Sequence, residues 1–438
     1  MLIKFTVSNS RSIADKLEFS AIATNDSTLP EALIDVPKYG IKLLKTMALF
    51  GANASGKSNV LKAMKDALWV ILNKNPNSSF HLLRHFNDCR NKGEKGQQNI
   101  EYSFDIFIDD VYYNYSFAHN LTIVSETLTI YPTNEKSEVI FSRTVNSADK
   151  NEWFFCKDLK DDESIEFIRK STSARQLFLT VANQDFNADE IVKNPILEAV
   201  FAWFNAPIYI HAGGIPSPVQ VGVNFDDLIT FIKSSKTNKK LLLYVAELAD
   251  IPIKDIQIFE IAKGDYEDGV TYLYIHPKDY NHTQVVIKTT HSNEKNASQF
   301  NFLAEESDGT QQFMGWLGHF LLKMQEDAQP KIFVVDELGT SLHPLLTQLL
   351  VKIFYNKKLN PHNAQLIFTT HEVKLMDKKI MRSDQLYLVS KPHDSTIIER
   401  VSDYPETDKY NRLDNIYTQG ALGAIANINE AALNRIKI

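Results

Sequence analysis

The chain carries only two cysteines, Cys89 and Cys156, in 438 residues. That is too few for a disulfide framework or a cysteine-based zinc site, and a reducing, cytoplasmic setting is expected. Long apolar runs are missing as well. The nearest, Ile196–Phe204, is interrupted by Glu198 and flanked by Pro195 and Asn205, well short of the roughly 20 residues of a membrane span, so no membrane partner is expected. The opening Met1-Leu2-Ile3-Lys4-Phe5-Thr6-Val7 reads as a strand, not as a signal peptide. There is no excess of positive charge: 47 Lys and Arg stand against 54 Asp and Glu, and the net charge of −7 argues against an all-round basic nucleic-acid binder. The densest basic cluster, Lys233, Lys236, Lys239 and Lys240, reads first as a solvated linker between two helices. Internal repeats are absent, and no heptad run long enough for a coiled-coil arm lies between residues 130 and 290.

What is present is a phosphate-binding loop. Residues 51–58 read Gly51-Ala52-Asn53-Ala54-Ser55-Gly56-Lys57-Ser58, after the apolar run Met47–Phe50 and before a helix-like stretch. That is the strand–loop–helix setting the motif requires. Gly51 and Gly56 let the backbone curl so that its N–H groups face phosphate oxygens, and the helix adds its N-terminal dipole. Lys57 reaches the β- and γ-phosphates, and the Ser58 hydroxyl takes a place on Mg²⁺. A chain of this length matches the pattern by chance roughly once in 50–100 cases. A nucleoside triphosphate is the implied ligand.

The periodicity places strands at 2–8, 17–22 and 46–50, a helix at 57–73, and antiparallel strands at 100–108, 111–118 and 121–131. Helical spacing follows at 162–170, 188–204 and 226–249, then strands at 254–262, 270–276 and 283–289. From 309 the pattern alternates: helix 309–326, strand 331–335, helix 344–357, strand 365–369, helix 372–380, strand 385–390. Apolar strands in such a rhythm predict a parallel sheet covered on both faces, hence an α/β fold. The triphosphate-binding fold is then split, with halves at 1–130 and 291–438 and a mixed insertion at 131–290. The insertion is the candidate partner-docking region. Trp203 and Phe204, near one end of its helix, are either anchors for a partner or part of its own core.

Further motifs follow in register. Strand Ile332–Val335 ends in Asp336-Glu337; Asp336 can hold Mg²⁺ directly or through water, and Glu337 can orient and deprotonate the attacking water. Strand Gln365–Thr370 ends in His371, where a γ-phosphate sensor would lie, although a strand-terminal histidine alone is more often a cap. Ser307-Asp308-Gly309 opens a helix, a reading in which Ser307 is an N-cap or an anion contact. Gly339–His343 is a short connector before Pro344, the first residue of the next helix.

The order phosphate loop, Ser-x-Gly helix start, strand-Asp-Glu, connector and strand-His resembles ABC-type ATPase heads, above all the SMC, RecF and OLD-like branch. There the loop commonly reads Gly-x-Asn-x-Ser-Gly-Lys-Ser, as Gly51–Ser58 does. Phe5–Ser12 looks like that branch's first strand and turn, with Ser10 in place of an aromatic. Glu306–Thr310 and the tail Tyr417–Ile425 resemble the stand-alone RloA- and AbiLi-like bacterial ATPases, although Ala421-Leu422 replaces the usual Arg-aromatic pair. The resemblance implies an ABC-type P-loop ATPase head with mixed parallel and antiparallel sheets. Gly51, Asn53, Gly56, Lys57 and Ser58 would bind ATP and Mg²⁺, Asp336 the metal, Glu337 would be the base and His371 the switch. Ser307 and Gly309 would contact the nucleotide of a second head, in a homodimer or higher homo-oligomer. A lid glutamine is expected at Gln97 or Gln98. The resemblance further implies a separate effector partner, a nuclease or toxin, in antiphage defence with a phage-derived trigger. No nuclease-like domain is visible, and the chain ends soon after the head. A RecF-like ATPase acting on DNA is the alternative.

Overall fold

The computed structural model describes residues 1–75, 99–133, 135–145, 150–184, 194–205, 208–211, 225–261, 274–275, 284–292, 294, 297–326, 331–404, 407, 409–410 and 412–425. The glutamines at 97 and 98 lie outside the described residues, as do most of 188–194 and all of 270–273.

The N-terminal segment gives β1 (Leu2–Ser8), β2 (Leu17–Ser20), β3 (Leu33–Val36), β4 (Ile41–Leu44), β5 (Thr46–Phe50) and α1 (Lys57–Leu72). A run of strands follows: β6 (Ile100–Ile108), β7 (Val111–His119), β8 (Ile123–Tyr131), β9 (Glu138–Val145) and β10 (Asn151–Phe155). The middle holds α2 (Lys157–Lys160), α3 (Glu163–Ser171), α4 (Phe178–Ala182), α5 (Pro195–Asn205), β11 (Ile208–His211), α6 (Phe225–Ser234) and α7 (Lys236–Leu248). Then come β12 (Asp255–Ile261), β13 (Tyr274–Ile275), β14 (Gln284–Thr290), β15 (Gln299–Asn301), α8 (Phe302–Glu305) and α9 (Asp308–Gln325). The chain continues through β16 (Ile332–Val335), α10 (Pro344–Tyr355), β17 (Gln365–Thr369), β18 (Leu386–Ser390), β19 (Ile397–Arg400) and α11 (Leu413–Thr418).

These elements divide into two compact units. The first is Met1–Ala212 with Lys331–Glu337 and Ala364–Ile438; the second is Gly213–Pro330 with Leu338–Asn363. In the first unit an antiparallel sheet runs β10-β9-β8-β7-β6-β1-β2. A second sheet runs β11-β16-β17-β5-β18-β19. Its first five strands are parallel and β19 is antiparallel. Every residue of β5, β16 and β17 is buried, which is why these strands lack polar alternation: a parallel sheet hides both faces. Val60, Leu61, Met64, Ala67 and Ile71 of α1 join a core that takes in Phe5 and Phe104 from one sheet and Leu49, Val334 and Val389 from the other. Trp203 and Phe204 belong to this core as well; Phe204 meets Phe104 edge-on at 5.2 Å.

The second unit contains a small antiparallel sheet, β12-β14-β13 with β15 on β14. Its α6 lies close against α9, because Gly318 has no side chain: a Cβ there would stand 2.7 Å from Leu228 Cα. His319 Nδ1 adds a 2.6 Å contact to Asp227 Oδ2 across the same pair.

Two helices expected from periodicity take another form. The stretch 226–249 is two helices, because the Ser235 backbone is extended and its side chain accepts from Asn238 N, capping α7. Residues 372–380 hold one 3₁₀ turn, Val373–Met376, in which Glu372 accepts from Lys374 N. Asp377 then bridges to Arg412, so a tertiary partner ends the turn.

One buried ion pair ties the N-terminal segment to the start of β18. Arg382 and Asp384 have no exposed side-chain surface and pair through two contacts of 2.9 and 2.7 Å. Arg382 also donates to Asp26 O, while Thr24 N and Oγ1 donate to Asp384 Oδ2. Arg382→Met strands the carboxylate in the core, and breaking such a pair costs about 3–5 kcal/mol. A urea midpoint shifted down accordingly is expected; a loss below about 1 kcal/mol would show that the pair is dispensable.

Candidate nucleotide site

The phosphate loop leaves the end of β5 and enters α1, as its sequence requires. Its curl rests on three backbone positions: Gly51 at φ 157°, Ala54 at φ 63° and Gly56 at φ 106°. The two glycines also have no room for a side chain. A Cβ on Gly51 would lie 2.3 Å from Val389 O, and one on Gly56 would lie 2.0 Å from Thr396 Oγ1. Lys57 is buried, and its ammonium donates to Gly51 O at 2.8 Å and Ala52 O at 3.0 Å. Burial lowers the Lys57 pKa, and the charges of Asp336 and Glu337 oppose that shift.

The acidic pair stands at the end of β16, beside this loop in the same unit. Asp336 Oδ1 accepts from Ser58 Oγ at 2.9 Å and from Thr369 Oγ1 at 2.6 Å. Thr369 Oγ1 accepts in turn from Glu337 N at 2.7 Å. Glu337 is exposed and takes a left-handed conformation, φ 60°, a sparsely populated state for a side chain with a Cβ. His371 follows β17. Desolvation lowers its pKa, the Lys57 charge lowers it further, and Glu337 opposes both. Lys57, Ser58, Asp336, Glu337 and His371 therefore form one electrostatically connected group within the first unit.

The residues present fit a triphosphate. Ser55 Oγ is buried and has no hydrogen-bond partner among the described residues, an orphan that a phosphate oxygen would satisfy. The Lys57 ammonium is spent on loop carbonyls and is the group a γ-phosphate would claim. Ser58 Oγ and Asp336 Oδ1 are oxygen donors of the kind Mg²⁺ requires, already side by side. Asn53 is exposed on the loop and lines a recess of about 240 Å³ with Ser390, Lys391, Ala424 and Ile425. A larger recess of about 320 Å³ on the antiparallel sheet is lined by Thr6, Ser8, Ser103 and Ser116 among others. None of the motif residues reaches it.

Ser307 and Gly309 belong to the second unit. Ser307 is exposed and caps α9, accepting from Thr310 N at 3.2 Å. A Cβ on Gly309 would lie 3.1 Å from Ser341 O, so the helix start packs on the connector Gly339–His343. Glu306, just before the cap, is held by Thr289 Oγ1 at 2.5 Å and His291 Nε2 at 2.7 Å.

Sequence reasoning missed several residues that the site depends on. Thr369 ends an apolar strand, and its one signal is a hydroxyl at the C-terminal end of the strand next to Asp336. Ser12 and Thr396 brace the loop from distant segments, and Tyr417 sets its ring against Phe50 at 6.2 Å. Nothing local to those three letters announces the contact.

A family model described as "AAA domain, putative AbiEii toxin, Type IV TA system" matches residues 47–377. No curated protein matches the chain. Among solved structures, the SmcHead bound to the C-winged helix domain of ScpA is similar at 15% identity and a TM-score of 0.41, over 91% of this chain and 96% of that one. The family match spans well over half of the chain and includes the loop, the acidic pair and His371, so the chain belongs to this AAA family and is a P-loop ATPase.

Proposed function

We propose that residues 51–58, Asp336, Glu337 and His371 form the hydrolytic site, and that ATP-dependent association of two heads controls a separate effector. The observation that carries the first part is the Ser58–Asp336–Thr369–Glu337 chain of hydrogen bonds, which joins the loop to the ends of β16 and β17. Lys57 and the loop N–H groups bind and orient the triphosphate. Ser58 and Asp336 would hold Mg²⁺, which when bound neutralises charge on the phosphate oxygens. Glu337, exposed at the mouth of the site, takes the proton of the attacking water. The lowered pKa of His371 favours a neutral imidazole at neutral pH, able to hydrogen-bond a phosphate oxygen without adding charge.

The second part rests on Ser307 and Gly309. A helix start offers its dipole to an anion, and family resemblance suggests that the anion is ATP on a second head. The effector, by the same resemblance, is a nuclease or toxin in an antiphage system. The family's own description, a putative toxin of a type IV toxin–antitoxin system, names the AAA protein itself as one member of a two-component system, which supports a partner but not its kind. If the effector reading holds, the protein should retain the product of an adjacent gene in pull-downs and release or tighten it with ATP. Tight binding to DNA ends at physiological salt without any partner would replace that reading with direct action on DNA.

Two substitutions test the chemistry. Glu337→Gln should bind ATP and lose turnover by about 10²–10⁴-fold, the usual contribution of a general base. Wild-type turnover in that variant would remove Glu337 from the mechanism. Ser307→Asp keeps a good helix cap and sets a negative charge against the incoming triphosphate. Single-head ATP binding should survive and hydrolysis should fall at least tenfold. Mixing it with Lys57→Ala protein should restore part of the activity, because one composite site is then intact. Unaltered hydrolysis by Ser307→Asp would leave Ser307 a helix cap alone.

A further inference from the structure

Thr396 lies 341 residues beyond Ser55 in the chain, in the link between β18 and β19, and is almost fully buried. Its hydroxyl donates to Ser55 O at 3.0 Å. Ser12 Oγ stands 2.8 Å from the same hydroxyl oxygen, and Asn59 Nδ2 donates to Ser12 Oγ at 2.8 Å. A hydroxyl has one proton, so the direction of the chain is fixed. Asn59 donates to Ser12, Ser12 to Thr396, and Thr396 to the loop carbonyl. The backbone holds the same arrangement: Thr396 N donates to Ser12 O at 2.7 Å, and Ala14 N to Ser395 Oγ at 3.0 Å.

We propose that Thr396 is a positioning residue for ATP binding, fixing the Ser55–Gly56 peptide so that its N–H faces the triphosphate. In a planar trans peptide the carbonyl and the next N–H point in opposite directions. Pinning Ser55 O onto Thr396 therefore turns the Gly56 N–H away from Thr396. Gly56 fits the same purpose: its missing Cβ would collide with Thr396 Oγ1, so the hydroxyl occupies the space that only glycine leaves open. Lys57 restrains the loop in the same way from its other end, through Gly51 O and Ala52 O. Between them, three loop carbonyls are held, and three N–H groups (Ala52, Asn53 and Gly56) are oriented before any nucleotide arrives. The alternative is that the Thr396 hydroxyl merely satisfies a nearby carbonyl, in which case it contributes to stability and leaves nucleotide affinity alone.

This inference rests on the phosphate-loop reading, and the test separates the two. Full-length wild-type, Thr396→Val, Thr396→Ser, Ser12→Ala and Lys57→Ala proteins are compared for the Kd of a fluorescent ATP analogue, the KM and kcat of ATP hydrolysis, and the urea midpoint. Thr396→Val keeps the shape and removes the hydroxyl. Its Kd and KM should rise roughly 5–30-fold, the scale of one hydrogen bond to a buried group, with a smaller change in kcat. Thr396→Ser should stay near wild type. Ser12→Ala, at a half-buried position, should move affinity in the same direction and carries the test if Thr396→Val does not fold. If Lys57→Ala abolishes binding while Thr396→Val and Ser12→Ala bind ATP as wild type does, the positioning role is overturned and the loop reading stands. If Lys57→Ala itself binds ATP normally, the loop reading fails and this inference fails with it.

Discussion

The Asp336 carboxylate holds the site together. A single oxygen accepts from Ser58 at the start of α1 and from Thr369 at the end of β17, while its own residue closes β16. Three segments that are remote in sequence are thereby set at hydrogen-bond distance. The Thr369 hydroxyl passes the restraint on by accepting from Glu337 N. The position of Glu337 is therefore tied to that of the phosphate loop, as the proposed role of Glu337 as base requires. Buried parallel strands make such an arrangement stable, since neighbouring carboxyl ends cannot slide without breaking a ladder closed on both faces.

Around that hub, the first unit draws on both ends of the chain. Arg11 holds Asp66 of α1 through a bidentate pair of 2.6 and 2.7 Å. Ser12 meets Thr396 behind the loop, and Tyr417 sits on Phe50. The N-terminal turn, α1, the β18–β19 link and the tail thus converge on residues 50–59. In the second unit the start of α9 is equally constrained, by Glu306 held to β14 and by Gly309 against the connector. Both halves of the proposed machinery are stiffened by contacts that lie outside the motifs themselves.

Much of this was legible in the sequence because its chemistry is local. The phosphate loop, Asp336-Glu337 and His371 each follow an apolar strand directly, so strand register alone places them at one edge of a sheet. The βα alternation after residue 309 predicted a parallel sheet for the same reason, though not the order of its strands. Tertiary contacts were not legible. The parallel pairing of β11 with β16 depends on a partner more than 120 residues away. The linker expected at Lys233–Lys240 shrinks to Ser235 alone, with Lys236, Lys239 and Lys240 inside α7, because apolar spacing continues on both sides of it; the single turn at 373–376 was hidden by an Asp377–Arg412 bridge. Trp203 and Phe204 could be read as exposed anchors or as core, and only the packing against Phe104 decides for the core. Thr396 is an ordinary letter whose importance depends on a glycine 340 residues earlier.

The central claim is that residues 51–58, 336–337 and 371 form one ATP-hydrolysing site. A structure of the Glu337→Gln protein with ATP and Mg²⁺ tests it most directly. The account predicts that Lys57 leaves the Gly51 and Ala52 carbonyls for the triphosphate, and that the metal is bound at Ser58 and Asp336. A triphosphate bound away from residues 51–58, or a metal that neither Ser58 nor Asp336 approaches directly or through water, would contradict it.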